Sequence, residues 1–142
     1  MNVLIDTSVW SLALRRNKNG LSPEEGVLQD ALKELIIETK AVIIGPIRQE
    51  ILSGISNPAQ FKKLKELLRA FEDLSVSYIE YERAAEFYNL CRSNGIQGSH
   101  IDFLICAVAE KYNLQIFTTD KDFRFYSKYI DISFYLKEFT IA

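Results

Sequence analysis

Four acidic residues occupy positions in which an ordinary surface carboxylate is not expected. Asp6 directly follows a short apolar run, and Asp120 follows another. Glu50 lies in a short segment among apolar neighbours, and Asp102 lies in the first turn of an otherwise apolar helix. In an open α/β sheet, ligands bind outside the carboxyl ends of the strands. Asp6 and Asp120 are placed at such ends, and Glu50 and Asp102 can reach the same rim.

Four carboxylates gathered at one rim would repel one another, and this repulsion would raise their pKa values unless a cation neutralised them. Hard oxygen ligands favour Mg²⁺ or Mn²⁺ over zinc. The sequence contains one histidine and two cysteines, and these two cysteines lack metal-ligand spacing. We therefore expect a site for Mg²⁺ (or Mn²⁺) made of carboxylates.

Each of these acids also has a purely structural interpretation. Asp6 is able to cap a helix that begins at Thr7. Asp102 is able to act as the third-position acid of a capping arrangement that starts at Ser99. Asp120 can be a turn residue, and Glu50 is the acid that local structure explains least. Four independent structural explanations would require several coincidences, so the joint interpretation as a site is preferred.

Three further residues are candidates for supporting roles. Asp122 lies on the same turn as Asp120, so one of these two acids would bind the metal while the other caps the turn or forms an outer hydrogen bond. The hydroxyls of Thr7 and Thr119 lie beside the proposed ligands and could orient a carboxylate or a water molecule.

The elements that must position these acids alternate between strands and helices. Apolar runs predict strands over residues 2–5, 41–44, 74–78, 115–118 and 132–136. Helices are predicted between them, with clear starts at the Ser22-Pro23 and Ser99 caps. This alternation predicts an α/β fold with a mostly parallel sheet and helices on both of its faces.

Composition excludes several classes of protein. The chain has 142 residues, of which 48% are hydrophobic and 25% are charged, as in an ordinary globular domain. The net charge of −2 is not that of a basic coat protein for nucleic acids. The longest apolar runs are too short to span a membrane, and no basic-then-apolar leader opens the sequence, so we expect a cytoplasmic protein without membrane contact. Cys91 and Cys106 are expected to be reduced and packed in helices.

Four segments carry a resemblance to a known family. Residues 3–8, 47–52, 101–107 and 117–123 resemble, in order, the four acidic motifs of the PIN domain, and in particular those of VapC-type toxins from toxin–antitoxin pairs. The acids of these segments are Asp6, Glu50, Asp102 and Asp120. The resemblance extends over nearly the whole chain.

The resemblance implies an α/β/α sandwich with a mostly parallel sheet, a single PIN-like domain over residues 1–142. It also implies a Mg²⁺- or Mn²⁺-dependent ribonuclease that hydrolyses RNA phosphodiester bonds. The four acids would be its catalytic and metal-binding residues. A cognate antitoxin protein and a homodimer are further implied partners.

An RNA substrate would need positive charge around an acidic site. Arg15, Arg16 and Lys18 follow the first helix, and Lys121 and Arg124 flank the fourth motif. Contacts from these side chains to phosphates would make binding weaken as salt increases. The alternative is that they are ordinary solvated charges.

Two other classes of function are alternatives to a nuclease. A PIN-like module that binds RNA or protein without turnover remains the main alternative. A receiver domain or a haloacid-dehalogenase-like phosphatase fits poorly, because Asp6 is followed by Thr7, Ser8 and Val9 without a second acid. The sequence also has no glycine-rich phosphate loop.

Overall fold

The computed structural model of the chain describes residues 1–15 and 20–140. Within these residues the core of the fold is a four-stranded parallel sheet with the strand order β2-β1-β3-β4. The strands are short and are formed by β1 (Val3–Ile5), β2 (Ala41–Val42), β3 (Gln115–Phe117) and β4 (Ser133–Phe134). The central pair β1 and β3 is buried almost completely, as expected for parallel strands covered on both faces.

Helices connect the strands and begin at recognisable caps. They are α1 (Thr7–Arg15), α2 (Pro23–Ile37), α3 (Gly45–Leu52), α4 (Pro58–Leu68), α5 (Tyr78–Ser93), α6 (His100–Tyr112) and α7 (Phe123–Tyr126). A capping box of Ser22 and Glu25 starts α2, and the Ser99 hydroxyl accepts the Asp102 amide at the start of α6. The predicted starts of both helices are confirmed.

The strand order places a topological switch point between β1 and β3. The chain leaves β1 in one direction to reach β2, and it then crosses back over β1 to reach β3. Right-handed crossovers require that α1 and α2 cover one face of the sheet and that α3 to α6 cover the other. The predicted α/β/α sandwich with a parallel sheet is confirmed, and its switch point is where such folds bind ligands.

One predicted strand is wrong. Residues 74–78 do not form a strand. An isolated parallel bridge joins Ile43 to Asp73 just before this segment, and the Leu74 amide donates a hydrogen bond to the Ile43 carbonyl. The Ser77 hydroxyl and the Glu80 carboxylate form a capping box, so Tyr78 begins α5. The alternation of apolar residues in this segment reflects packing against the core and not pairing in the sheet. The other four predicted strands are present, although each is shorter than predicted.

The core contains apolar residues from every layer. Trp10, Phe103, Phe117 and Tyr126 are among its largest fully buried side chains. Cys91 and Cys106 are free thiols and both are buried, as predicted. Over the described residues, no helix is both long enough and apolar enough to cross a membrane.

Candidate active site

Asp6 lies at the switch point, between the end of β1 and the start of α1. Its amide donates a hydrogen bond to the Phe117 carbonyl at 2.9 Å, which ties it to the end of β3. Its carbonyl accepts the amides of Val9 and Trp10 and begins α1. The residue is only 7% exposed. Asp6 is therefore a buried acid that the backbone of two central strands fixes in place.

A network of hydroxyl groups links the ends of β1 and β3. Asp6 Oδ2 accepts hydrogen bonds from Ser8 Oγ at 2.8 Å and from Thr118 Oγ1 at 2.7 Å. Ser8 Oγ also accepts the Thr119 amide, and Thr118 Oγ1 accepts the Asp120 amide. These hydrogen bonds hold the segment of Asp6 next to the segment of Asp120, although the two segments are far apart in sequence.

Asp102 enters the site from α6. Its Oδ2 accepts a hydrogen bond of 2.7 Å from the hydroxyl of Tyr126, which is fully buried in α7. The rings of Tyr126 and Phe103 lie 4.8 Å apart. Gly98 leaves room for this arrangement, because a Cβ there would lie 2.5 Å from the Tyr126 hydroxyl and 2.8 Å from the Phe103 ring. The position of Asp102 therefore depends on a glycine and a tyrosine outside its own helix.

The three aspartates influence one another electrostatically. Burial raises the pKa of Asp102 to about 6, and the charges of Asp6 and Asp120 contribute to this rise. Burial also raises the pKa of Asp6; its hydroxyl hydrogen bonds oppose this rise, and the charge of Asp120 adds to it. The pKa of the Tyr126 hydroxyl is raised by its burial and by the adjacent Asp102 carboxylate. Asp6, Asp102 and Asp120 therefore lie near enough for their charges to interact.

Glu50 is placed differently from the other three acids. It lies on α3 with its side chain exposed to solvent, while Ile47 and Ile51 on the same helix are buried. Glu50 was expected on or near the apolar face of this helix, and the structure places it beside that face with its side chain in solvent. Its role as a ligand stays a prediction.

Asp122 is exposed and stands at the start of α7. Its amide donates a 2.9 Å hydrogen bond to Asp120 Oδ1. Asp120 is thus the acid whose carboxylate accepts a hydrogen bond within this turn. The Asp122 carboxylate makes no capping hydrogen bond within α7. Asp120 is the acid of this turn that interacts with Asp6 and Asp102.

The remaining candidates are distributed around this centre. Within the described part of the chain, the Thr7 hydroxyl is buried without a hydrogen-bond partner. Thr119 contacts Ser8 through its backbone amide. Lys121 and Arg124 are exposed, and the Arg124 guanidinium lies 4.7 Å from the centre of the Phe125 ring. The first loop is predicted to supply three more phosphate contacts. Their side chains lie outside the part of the chain that the structure describes: Arg15, Arg16 and Lys18.

The donor set fits a hard divalent cation in its chemistry and charge. It offers three carboxylates whose charges interact, and the unpartnered Thr7 hydroxyl adjoins Asp6 in sequence. Burial, with a contribution from the neighbouring acids, raises the pKa values of Asp6 and Asp102. In residues 1–15 and 20–140, no three His, Cys, Asp or Glu side chains stand close enough together to ligate an ion. Among these residues the three aspartates therefore interact through their charges without forming a closed ligand cage.

The comparison with protein families agrees with this geometry. The family model of the PIN domain matches residues 3–129, which include all four predicted acids. The chain belongs to the PIN-domain family. PIN domains are generally nucleases. No match among curated proteins reaches significance.

Solved structures share this PIN fold at low sequence identity. FitAcB from Neisseria gonorrhoeae is 20% identical, with a TM-score of 0.72 over 94% of this chain and 96% of that chain. FitAB bound to an IR36 DNA fragment is also 20% identical, with a TM-score of 0.72 over 94% of this chain and 93% of that one. A toxin–antitoxin complex from Klebsiella pneumoniae is 19% identical, with a TM-score of 0.63 over 86% and 90% of the two chains. At these identities the likeness shows the fold.

Sequence reasoning missed four residues that position the acids of this PIN domain. Ser8 and Thr118 hold Asp6, and Tyr126 and Gly98 determine the surroundings of Asp102. The spacing of two residues between Asp6 and Ser8 was a usable signal, because a hydroxyl at this distance can bond back to the carboxylate. No short sequence pattern predicts the pairing of Tyr126 with Asp102, because the two residues lie in different helices with β3 between them in the chain.

Proposed function

We propose that this PIN domain is a metal-dependent endoribonuclease and the toxin of a VapC-type toxin–antitoxin pair. The observation that carries the proposal is that three separate segments place Asp6, Asp102 and Asp120 near enough for their charges to interact. Burial, with a contribution from these charges, raises the pKa values of Asp6 and Asp102. Fold stability alone does not require three carboxylates at a switch point, where their repulsion opposes folding. Perturbed acids in such a position are typical of a functional site.

The three aspartates would hold one or two Mg²⁺ or Mn²⁺ ions, which lower the pKa of water and stabilise charge on phosphate oxygens. Ser8 and Thr118 fix the direction of the Asp6 carboxylate, and Tyr126 fixes that of Asp102. In the reaction, water adds to the phosphorus atom and the bond to the 3′ oxygen breaks. The products would carry a 5′-phosphate and a 3′-hydroxyl.

Glu50 would complete the ligand set from the exposed surface of α3. Because its side chain is exposed, it can change rotamer at little cost when a cation draws it inward. Asp122, Thr7 and Thr119 are assigned supporting roles, which include holding Asp120 and orienting water.

Positive side chains around the acids would contact the RNA backbone. Lys121 and Arg124 flank Asp120 in sequence and are exposed. Arg15, Arg16 and Lys18 complete this proposed set. If these residues bind phosphates, affinity for RNA should fall steeply as the salt concentration rises.

The partner proposal rests on the similar structures. One is described as a toxin–antitoxin complex, and another as FitAB bound to DNA. By this likeness we assign the present chain an antitoxin protein as its partner. The homodimeric state is proposed from the resemblance of its four acidic motifs to those of VapC-type toxins, and the cytoplasmic location remains the expectation from the sequence. Growth arrest in bacteria that express the wild type, but not Asp102→Asn, would support the toxin role. Normal growth with the wild type at equal protein levels would contradict it.

The decisive test of the nuclease uses purified protein freed of any antitoxin. End-labelled RNA is incubated with it in Mg²⁺, in Mn²⁺ and in chelator, and the variants Asp102→Asn and Asp30→Asn are run in parallel. Asp30 is the matched control because it is an exposed aspartate on α2. We expect cleavage by the wild type and the control in metal only, and none by Asp102→Asn.

Two outcomes would contradict the proposal. Equal cleavage by Asp102→Asn would show that the acids are not the site or that another nuclease is present. RNA binding without cleavage by the folded wild type, in either metal, would favour a binding module without turnover.

A further inference from the structure

A second feature of the molecule adjoins the acidic centre. A cleft of about 400 Å³ opens beside it, within the size range of small-ligand sites. Its apolar lining comes from Leu12 of α1, Leu28 of α2 and the half-buried ring of Phe139 near the C-terminal end of the described chain. Leu12 and Leu28 are almost completely buried, so they form its floor.

The wall of the cleft carries hydroxyl groups and is shared with the acidic centre. Ser8, Ser11 and Thr119 line it, and all three are half-buried. Ser8 Oγ donates to Asp6 Oδ2 and accepts the amide of Thr119. A ligand in the cleft would therefore lie one side chain away from the carboxylates.

The rim of the cleft carries charges of both signs. Lys121 and Glu138 line it with exposed side chains, and the half-buried Glu25, which accepts the Ser22 amide at the start of α2, adds a second carboxylate. A lysine attracts phosphate, whereas a carboxylate repels phosphate and accepts N–H groups. The rim thus favours a ligand that presents an anion to one side and hydrogen-bond donors to the other.

We propose that this cleft binds the base of the nucleotide next to the cleaved bond in single-stranded RNA. A base has apolar faces that fit over Leu12, Leu28 and Phe139, and a polar edge that fits the hydroxyls and Glu138. Stacking on aromatic rings and contact of phosphates with lysine are the general means by which proteins hold single strands. This inference rests on the proposed nuclease function and adds to it a subsite for the substrate.

A first test reads binding directly and does not need turnover. Single-stranded RNA that contains 5-iodouridine is photo-crosslinked to Asp102→Asn protein in Mg²⁺, and the attached peptide is identified by mass spectrometry. We expect attachment at Phe139 and its loss in the double variant with Phe139→Leu. Crosslinks confined to residues outside the cleft, such as the α4 lysines Lys62, Lys63 and Lys65, would overturn the subsite.

A second test uses the wild-type active site and reads cleavage. Phe139→Leu keeps an apolar side chain but removes the ring, so we expect KM to rise about 5- to 100-fold, as for the loss of one stacked base. Glu138→Gln should change the base preferred beside the cut, read by sequencing the products. Phe61→Leu on α4 is the matched control for the loss of a ring, because Phe61 is partly exposed and does not line this cleft.

The two proposals fail in different ways. If the wild type cleaves RNA while Phe139→Leu and Glu138→Gln leave KM and base preference unchanged, the subsite is wrong and the nuclease stands. If no RNA is cleaved but the crosslink forms at Phe139, the nuclease is wrong and the cleft still binds bases.

Discussion

Replacing Asp102 by asparagine should make the metal-free protein more stable at neutral pH, although it should abolish cleavage. Burial and the charges of Asp6 and Asp120 raise the pKa of Asp102 from 3.8 to about 6 in the folded chain. A raised pKa means that the charged form is unfavourable in the folded state. The asparagine side chain would keep the size of the aspartate and an oxygen that accepts the Tyr126 hydroxyl, and it would remove the charge.

The magnitude follows from the shift in pKa. One pKa unit corresponds to about 1.4 kcal/mol, so the shift for Asp102 sets an upper bound of roughly 3 kcal/mol. Asp102 is only partly buried, and solvent screening reduces this to about 1–2 kcal/mol. For a chain of this size, we expect the melting temperature to rise by about 3–8 °C.

The pH dependence gives this prediction a characteristic form. A carboxyl group whose folded pKa is raised contributes stability that is fully present below its unfolded pKa of 3.8 and is lost as pH rises through about 6. The wild type should therefore lose stability relative to Asp102→Asn over this window. Urea unfolding in chelator, at a series of pH values from about 4 to 7, measures the difference.

Controls separate this effect from a general change in stability. Asp30→Asn should show no pH-dependent difference from the wild type, because Asp30 is exposed on α2. Added Mg²⁺ at pH 7 should stabilise the wild type more than Asp102→Asn, because a ligand stabilises the state that binds it. If Asp102→Asn is less stable than the wild type in chelator at pH 7, the charge of Asp102 is not unfavourable in the folded state and the reasoning is refuted.

Three further substitutions test how the acids are held. Thr118→Val removes a hydroxyl that donates to Asp6, so we expect a loss of about 1–3 kcal/mol in unfolding free energy, measured with urea, and weaker Mg²⁺ binding by titration calorimetry. Gly98→Ala forces a methyl group against Tyr126 and the neighbouring ring, and we expect a lower melting temperature and reduced cleavage; an unchanged melting temperature would show that the close approach is not required. Glu50→Gln should leave the stability of the metal-free protein within about 0.5 kcal/mol, because the side chain is exposed, and should weaken Mg²⁺ binding; unchanged Mg²⁺ affinity would remove Glu50 from the ligand set.

The fold was largely predictable because its signals are local. The run of apolar residues before Asp6, the Ser22 and Ser99 caps and the alternation of strands and helices each identify an element without knowledge of the rest. The segment 74–78 is wrongly predicted as a strand because an extended stretch that packs on the core has the same alternation of apolar residues as a strand. The capping box at Ser77 competes with that interpretation and determines the result.

The site was predictable in its acids and less so in their surroundings. Asp6, Asp102 and Asp120 could be found because each follows a strand or starts an apolar helix, which places it at one edge of a parallel sheet. The exposure of Glu50 could not be read from its neighbours, because on a helix an acid beside buried residues can still face outward. The Tyr126 contact depends on how α7 packs against α6, which no short sequence pattern encodes.

The side chains that donate hydrogen bonds to the acids are neutral, so the negative charge of the acids remains available to a cation. Ser8, Thr118 and Tyr126 are neutral donors that orient the carboxylates of Asp6 and Asp102 without cancelling their charge. A lysine or arginine paired with these carboxylates would neutralise their charge and would compete with a divalent cation for the same oxygens. A hydroxyl partner orients the carboxylate without supplying a positive charge. Burial and the charges of Asp6 and Asp120 therefore still raise the pKa of Asp102, although the Tyr126 hydrogen bond opposes this rise. The same repulsion that lowers stability without metal would therefore favour the binding of a cation. The stability gained on adding Mg²⁺ should be smaller in Ser8→Lys than in the wild type, because Ser8 is half-buried and an ammonium group at this position can pair with Asp6.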